Sequence, residues 1–200
     1  MKRFHKVSIV TIALFLSIMG NSAFAVGKGN NIAVRLLGTA TAYPSADLFD
    51  AYGVVGPASD CWDFDLVDIK TGNLIGDVTD CAATAGEVGD VSQLIGTTFF
   101  YFPGGTVVSR VYTTVQPVTH GSPDFTHITG AIPQLGENNV IYGDGKFKNA
   151  EGPVRLSGAV NLSNLFSEGE ITIDCLFTLD VGPTNRNPRS HSNNVSRDRH

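Results

Sequence analysis

The chain has 200 residues, 42% of them hydrophobic, and carries 14 Lys and Arg against 19 Asp and Glu. This length and apolar content are typical of one domain with a sufficient core. Within residues 26–181 the balance is 7 cations to 18 acids, a net charge of −11. A body this acidic repels a phosphate backbone, so nucleic acid is a poor candidate partner.

Residues 1–25 have the three parts of a secretory signal peptide. They are a basic start, an apolar centre from Val7 to Met19 and a small-residue site at Ala23-Phe24-Ala25. An uncleaved anchor is the alternative, but the apolar run is shorter than the roughly 20 residues that span a bilayer. We therefore expect a mature chain that starts at Val26, has no membrane span and is secreted or periplasmic.

The pattern of residues 26–181 predicts one all-β domain. It lacks a convincing apolar repeat at helical spacing and instead has short runs rich in Val, Ile, Thr and Phe, bounded by Gly, Pro, Asn and Asp. The predicted strands are 32–41, 62–69, 74–79, 94–102, 106–118, 125–132, 139–142, 154–162 and 170–179. The stretch "FPGGT" between two of them predicts a tight hairpin. Eight or nine strands at this spacing indicate a sandwich or a closed barrel.

The last predicted strand alternates between an apolar and a polar face. Its apolar face comprises Ile171, Ile173, Cys175, Phe177 and Leu179. Because Cys175 shares this face, we expect a buried, inert thiol rather than a nucleophile.

A hairpin register predicts a disulfide. The stretch "IKTGN" suits a three-residue loop with Gly72 in the left-handed conformation beside a bulge. If Ile69 pairs with Asn73, residues whose numbers add up to 142 face each other, and Cys61 lies opposite Cys81. An exported protein meets oxidising conditions, so a disulfide is favoured over two free thiols.

The glycines of "YGDGKFKNAEGPVRLSGAV" raise the question of a phosphate loop. Such a loop needs G-x-G-x-x-G between a strand and a helix, or G-K followed by Ser or Thr. Here Gly152 comes seven residues after Gly145 and is followed by Pro153, so no helix begins in the required register. Asp144 inside the turn would also repel a phosphate. We interpret the glycines as strand corners.

The same stretch resembles a known signature. Within "ITGAIPQLGENNVIYGDGKFKNAEGPVRLSGAV", Gly143, Gly145, Phe147, Ala150 and Gly152 match the "G-x-G-x-F-x-x-A-x-G" element of the allene oxide cyclase and dirigent barrel superfamily. The hairpins "TTFFYFPGGTVVSRV" and "DFDLVDIKTGNLIGDVTDC" are similar to hairpins of its bacterial members. The resemblance implies an eight-stranded antiparallel β-barrel with a small-molecule cavity.

The resemblance also implies a class of function. Plant cyclases of this superfamily close an unstable fatty-acid epoxide into a ring, and dirigent proteins steer coupling or ring formation; neither uses a nucleotide or a metal. We therefore expect a barrel that binds a small apolar or phenolic ligand, acting as a cofactor-free isomerase if it is an enzyme. The family's tendency to oligomerise implies a homotrimer or dimer. The alternative is a secreted structural or interaction module with a barrel filled by side chains.

Arg110 and Arg155 are candidate ligand anchors because they lie inside predicted strands of an acidic body. A barrel-lining Arg can hold a carboxylate or phenolate by a bidentate contact. An outer-face Arg paired with a surplus acid is the alternative. Tyr112 shares a strand face with Arg110, and Tyr101 lies across the hairpin, where tyrosines suit either a ligand pocket or ordinary packing.

An acidic cluster lies on the hairpin of the two cysteines. It comprises Asp63, Asp65, Asp68, Asp77 and Asp80. In the predicted register Asp65 faces Asp77, and two facing carboxylates need a cation or a shared proton unless they are solvated on the outer face. If Asp65 lines the barrel, it is the best general acid or base candidate, with Asp174 second.

Other catalytic patterns are missing from the sequence. His120 lies in a loop with Ser122 and Asp124, but "G-x-S-x-G" is absent and loop polarity explains the three residues. Neither H-E-x-x-H nor C-x-x-C occurs, so we expect no zinc site. Residues 182–200 hold four Arg and almost no apolar residue, and we expect a disordered polar tail.

Overall fold

The computed structural model of the protein describes residues 30–89, 91–117, 125–133 and 138–183. The predicted signal peptide, the loop around His120 and the predicted tail beyond residue 183 lie outside these residues. The described elements are strands β1 Asn30–Thr41, β2 Tyr43–Pro44, β3 Asp60–Asp68, β4 Leu74–Val88, β5 Val91–Phe102, β6 Gly105–Pro117, β7 Phe125–Ile132, β8 Val140–Gly143, β9 Ala150–Glu151, β10 Val154–Asn161 and β11 Glu170–Pro183, helices α1 Ala46–Tyr52 and α2 Leu165–Glu168, and a 3-10 turn Gly145–Phe147.

The strands form a closed antiparallel β-barrel of eight strands, which confirms the predicted fold class. The order around the barrel is β1-β11-β10-β7-β6-β5-β4-β3, and β3 pairs with β1 to close it. We call the β1–β3 pairing the seam. It extends over only four residue pairs, from Val34 opposite Asp68 to Leu37 opposite Asp65, whereas β1 pairs with β11 over twelve. Strands β2, β8 and β9 are short additions on β3, β6 and β11.

All nine predicted strands are present, and two features go beyond the prediction. Strand β4 runs on to Val88 instead of ending at Thr79. Residues 80–88 are rich in Ala and Gly, which have low strand propensity, but pairing with β5 holds them extended. Helix α1 has one buried residue, Phe49, so it lacks the apolar repeat that would have predicted it.

The inner face of the barrel carries the main core. The apolar face predicted for the last strand is confirmed by the burial of Ile171, Ile173, Cys175, Phe177 and Leu179. Cys175 is a free cysteine that is fully buried, as predicted. The strand alternation therefore assigns the inner face correctly.

The β3–β4 hairpin corrects one detail of the predicted register. Asp68, and not Ile69, pairs with Asn73, whose carbonyl accepts the Asp68 N–H at 2.9 Å. The predicted loop is therefore one residue too short, although Gly72 has the expected left-handed conformation with φ 70°. A bulge beside Val67 then shifts the register by one residue, and the pairs beyond it again add up to 142.

The predicted disulfide between Cys61 and Cys81 is confirmed, with an S–S distance of 2.01 Å and a Cα–Cα distance of 4.0 Å. It lies on the outer face of the sheet, in a smaller apolar cluster with Phe49, Phe99 and Val108. Phe49 belongs to α1, so this helix covers part of the outside of the barrel. The sheet is thus apolar on both faces here.

The glycine-rich stretch after β8 forms strand ends and turns, in agreement with its interpretation as strand corners. Asp144 turns back onto β6, where one of its carboxylate oxygens accepts the N–H of Thr106 at 2.6 Å. Gly152 lies directly against the backbone carbonyl of Asp180, and a Cβ at this position would collide with it. The close approach explains why glycine is required there.

Candidate functional site

Along β4 and β5 the inner face of the barrel changes from fully buried to partly exposed, whereas on the neighbouring β6 it stays buried as far as Thr113. In one half, Val78, Phe100 and Phe177 expose at most 1% of their surface. Further along β4 and β5, towards the hairpin that joins them, Ala82 and Leu94 point to the same side but remain partly exposed. A side chain that is fully buried lines no water-filled space, whereas a partly exposed inner side chain does. We call these the packed half and the open half, and the space inside the open half the lumen.

A row of polar side chains crosses the inner face where the two halves meet. Neighbouring strands pair Trp62 with Asp80, Asp80 with Thr98, and Thr98 with Ser109. Asp80 shares the inner face of β4 with Val78 and Ala82, so its carboxyl lies where the packed half ends and the open half begins. The Thr98 hydroxyl donates to this carboxylate at 2.7 Å. The row therefore forms a polar floor beneath an otherwise apolar space.

Two hydroxyls on the inner face of β6 have no hydrogen-bond partner among the described residues. They are the side chains of Ser109, which faces Thr98, and Thr113, which faces Leu94, and both are at most 2% exposed. A buried hydroxyl without a partner costs about 1–3 kcal/mol. Because both side chains are fully buried, they do not line the lumen.

Burial governs the proton affinity of the groups at the floor. It raises the pKa of Asp80 to about 6, while the hydrogen bond from Thr98 acts in the opposite direction. Burial, followed by the charges of Asp80 and Asp174, raises the pKa of Cys175 to about 12. The thiol therefore stays protonated, and the carboxyl is the group at the floor that can exchange a proton near neutral pH.

The sequence singled out Asp65 as the carboxylate that could line the barrel, and the structure places it outside. Asp65 faces Asp77, as predicted, but both side chains are exposed on the outer face. Asp80 comes three residues after Asp77 on β4, so its side chain lies on the opposite face of the strand and points inward. The signal that separates them is the strand alternation with Val78, an apolar neighbour that shares the face of Asp80.

Asp65 and Tyr101 contribute to a cleft of about 740 Å³ on the outside, beside the seam. Three of its polar residues are joined by hydrogen bonds: Thr79 donates to Asp63 at 2.5 Å, and the Tyr43 hydroxyl donates to the same carboxylate at 2.8 Å. Burial raises the pKa of Tyr101 to about 12, so its phenol stays protonated. The cleft therefore offers hydroxyl groups and carboxylates to solvent.

Arg110 lies on the outer face but beneath a covering segment, and is only 3% exposed. Its Nε donates to the Thr97 hydroxyl at 3.1 Å, and a terminal nitrogen donates to the Val55 carbonyl at 2.8 Å. Gly56 passes so close to the guanidinium that a Cβ there would lie 2.6 Å from it. Arg110 thus fastens the segment after α1 to the sheet and lies outside the lumen.

Asp174, the second acid proposed from the sequence, is also on the outer face. It accepts two hydrogen bonds of 2.5 Å from Arg35 of the neighbouring strand. The hydrogen bond from the guanidinium lowers the pKa of Asp174 and keeps it ionised. This exposed ion pair leaves no carboxylate oxygen directed at the lumen.

Tyr112 and Arg155 come together, but on the outside. Both line a groove of about 470 Å³ over the outer faces of β6, β7, β10 and β11, which we call the outer groove. None of the six site residues proposed from the sequence therefore lines the lumen. Polar residues inside a strand point to the core or away from it by parity alone, and the apolar neighbours on the same face reveal which.

Within residues 30–89, 91–117, 125–133 and 138–183, no three His, Cys, Asp or Glu side chains are grouped so that they could hold a metal ion. In the same ranges, no helix has the length and apolar character needed to cross a membrane.

Comparison of the chain with protein-family models, with curated proteins and with solved structures finds no match. The site is therefore interpreted from its own geometry.

Proposed function

We propose that this protein is an exported barrel that binds a small, largely apolar molecule in its lumen, with the polar group of the ligand at Asp80. The observation that carries the proposal is the polar floor: the Asp80 carboxyl, which accepts a hydrogen bond from Thr98, lies on an inner face that is mainly apolar. Apolar pockets with a few convergent polar groups are the usual form of small-molecule sites. The disulfide supports an oxidising location, secreted or periplasmic.

The floor also supports a class of chemistry. A carboxyl with a pKa of about 6 can donate or accept a proton at neutral pH. A rigid apolar wall restricts the conformations of a bound molecule, and such restriction accelerates ring closure or coupling by holding the reacting atoms together. We therefore propose a cofactor-free isomerase of the cyclase type, or a dirigent-like guide, as the resemblance to the allene oxide cyclase and dirigent superfamily implies.

A structural module is the second candidate, and the packed half favours it. Phe100, Phe177 and their neighbours fill that half with side chains. A protein that acts only through its surface needs no lumen. Ligand binding separates the two candidates.

The first experiment is native mass spectrometry of the mature protein purified from its export route, before and after solvent extraction. We expect a bound small molecule that is lost on extraction. A fluorescence titration with a panel of apolar phenols and alcohols, whose hydroxyl groups can donate to a carboxylate, follows. Trp62 is the only tryptophan of the chain and lies on the inner face beside Asp80, so its emission reports on the lumen.

Two variants of β4 provide a matched pair for this titration. Asp80→Asn removes the inward carboxylate, and Asp77→Asn removes an outward one from the same strand. We expect the first to weaken the Trp62 response by about tenfold and the second to leave it unchanged, since a charge-assisted hydrogen bond is worth that much. A bare protein whose Trp62 emission ignores the whole panel would favour the structural module.

A further inference from the structure

The outer groove is formed by an irregularity of the sheet. A bulge between β6 and β7 pairs Tyr112 with Ile132 and Thr113 with Gly130, so one residue of β7 is left over. The bulge turns Ile132 to the side of Tyr112, and both residues line the groove. Gly130 and Leu156 line it as well, and Leu156 belongs to the inner core.

The walls of the outer groove are apolar and accessible. Tyr112, Ile132 and Leu176 expose 40%, 68% and 37% of their surfaces. Two of the hydroxyls in the groove, those of Thr114 and Thr129, hydrogen-bond to each other at 2.9 Å and need no partner from a ligand. An exposed apolar recess of this kind is typical of a binding surface.

The charge of the outer groove is opposite to that of the protein. Arg155 lines it, and no carboxylate does. Within the described ranges, Arg155 makes no ion pair; on the neighbouring strand β11, Asp174 is already held by Arg35. In a chain with a net charge of −5, an unpaired cation beside an apolar recess is a complementary site for an anion with an apolar body.

We propose that the outer groove binds an amphipathic carboxylate, independently of the lumen. The carboxylate pairs with the guanidinium of Arg155, and the apolar body packs against Tyr112, Ile132 and Leu176. The volume of about 470 Å³ suits a molecule of some ten to twenty heavy atoms. An uncharged molecule of the same shape loses the ion pair and binds more weakly.

Isothermal titration calorimetry of the full chain at pH 7.5 tests this proposal, with decanoate as the probe and decanamide as its uncharged match. We expect decanoate to bind at least about tenfold more tightly than decanamide, because a charge-assisted pair supplies that factor. Arg155→Gln should weaken decanoate binding by about tenfold. Lys70→Gln removes the same charge from an exposed loop remote from the groove and should leave the affinity unchanged.

The apolar wall is tested with a second pair of variants. Ile132→Asp introduces a carboxylate at a position that is already 68% exposed, and Phe166→Asp does so at one that is 97% exposed on α2. We expect only the first to abolish binding. The Trp62 emission should not respond to decanoate in the groove, which separates this site from the lumen.

Three results would overturn the proposal. One is equal decanoate affinity in Arg155→Gln and Lys70→Gln. Another is a decanoate titration that changes the Trp62 emission and is unaffected by Arg155→Gln, which would place the probe in the lumen. The third is the absence of decanoate binding in a protein that sediments as a dimer at micromolar concentration. If Ile132→Asp disrupts this dimer and Phe166→Asp does not, a second copy of the chain covers the groove.

Discussion

The packed half and the open half of the barrel are built by the same strands, yet they differ in what they can do. Along β4 and β5, the inward positions carry Val78 and Phe100 in one half and Ala82 and Leu94 in the other. Alternation alone determines which side chains point inward. The size of these side chains then determines whether the interior is filled. A single barrel can therefore contain a rigid core and an accessible space, with the polar row of Asp80 at their boundary.

The largest expected effect tests the packed half. Phe177→Ala should lower the free energy of unfolding by about 3–5 kcal/mol, since it leaves a cavity between fully buried neighbours. Leu94→Ala in the open half should cost less than about 2 kcal/mol, because that side chain is already partly exposed. Urea denaturation measures both. Equal losses would contradict the distinction between the two halves.

The second effect concerns the outside of the same strands. Replacing Cys61 and Cys81 together by serine removes the disulfide that closes a loop with a sequence separation of 20 residues. The loss of this constraint on the unfolded chain should cost about 3 kcal/mol. Because the disulfide lies on the outer face, ligand responses of Trp62 should persist wherever the variant is folded. Their disappearance in a folded variant would show that the lumen depends on the outer cluster.

The third effect concerns Asp80, at the boundary between the two halves, and the dependence of the free energy of unfolding on pH. Folding raises the pKa of Asp80 from 3.8 to about 6, so its contribution to stability is full below pH 4 and is lost as the pH rises through 6. Asp80→Asn should match the wild type at pH 4 and exceed it by about 3 kcal/mol at pH 7. Asp50→Asn on α1 is the control. The measurement is the urea midpoint of each variant between pH 4 and pH 7. If the midpoints of Asp80→Asn and Asp50→Asn change with pH in the same way, the carboxyl of Asp80 is not buried.

The smallest effect is expected on the outer face. Asp174→Asn breaks the exposed ion pair with Arg35. Exposed pairs contribute little and are screened by salt, so the urea midpoint should fall slightly at low ionic strength and recover the wild-type value in 1 M NaCl. A large loss that persists in salt would mean that this pair supports the barrel more than its exposure indicates.

The strands and the disulfide were predictable because they depend on local patterns. Alternating apolar residues and turn-forming glycines defined all nine predicted strands, and one register placed Cys61 opposite Cys81. That register was correct at the cysteines although its loop was one residue too short, because the bulge beside Val67 compensated for the missing residue. A slip of one residue would turn every side chain of the strand to the opposite face of the sheet, and the bulge restores the register that keeps the apolar side chains inside.

The site was less predictable because it depends on which face lies inside. Asp65 and Asp80 both lie on paired strands rich in carboxylates, and only parity relative to Val78 separates the outward from the inward group. Arg110 was interpreted as a ligand anchor or a surface ion pair. It is instead buried beneath a segment that no sequence pattern placed there, and this burial arises from tertiary packing.

The seam gives the barrel a preferred place to come apart. Four residue pairs join β1 to β3, while the disulfide ties β3 to β4 and β1 pairs with β11 over twelve residues. We therefore expect partial unfolding to begin at the seam, and seam amides to exchange their hydrogens earlier than those in the pairing of β1 with β11. Opening of the seam exposes two unpaired edges, and such edges can pair with those of another chain. Resistance to aggregation thus depends on the shortest pairing in the barrel.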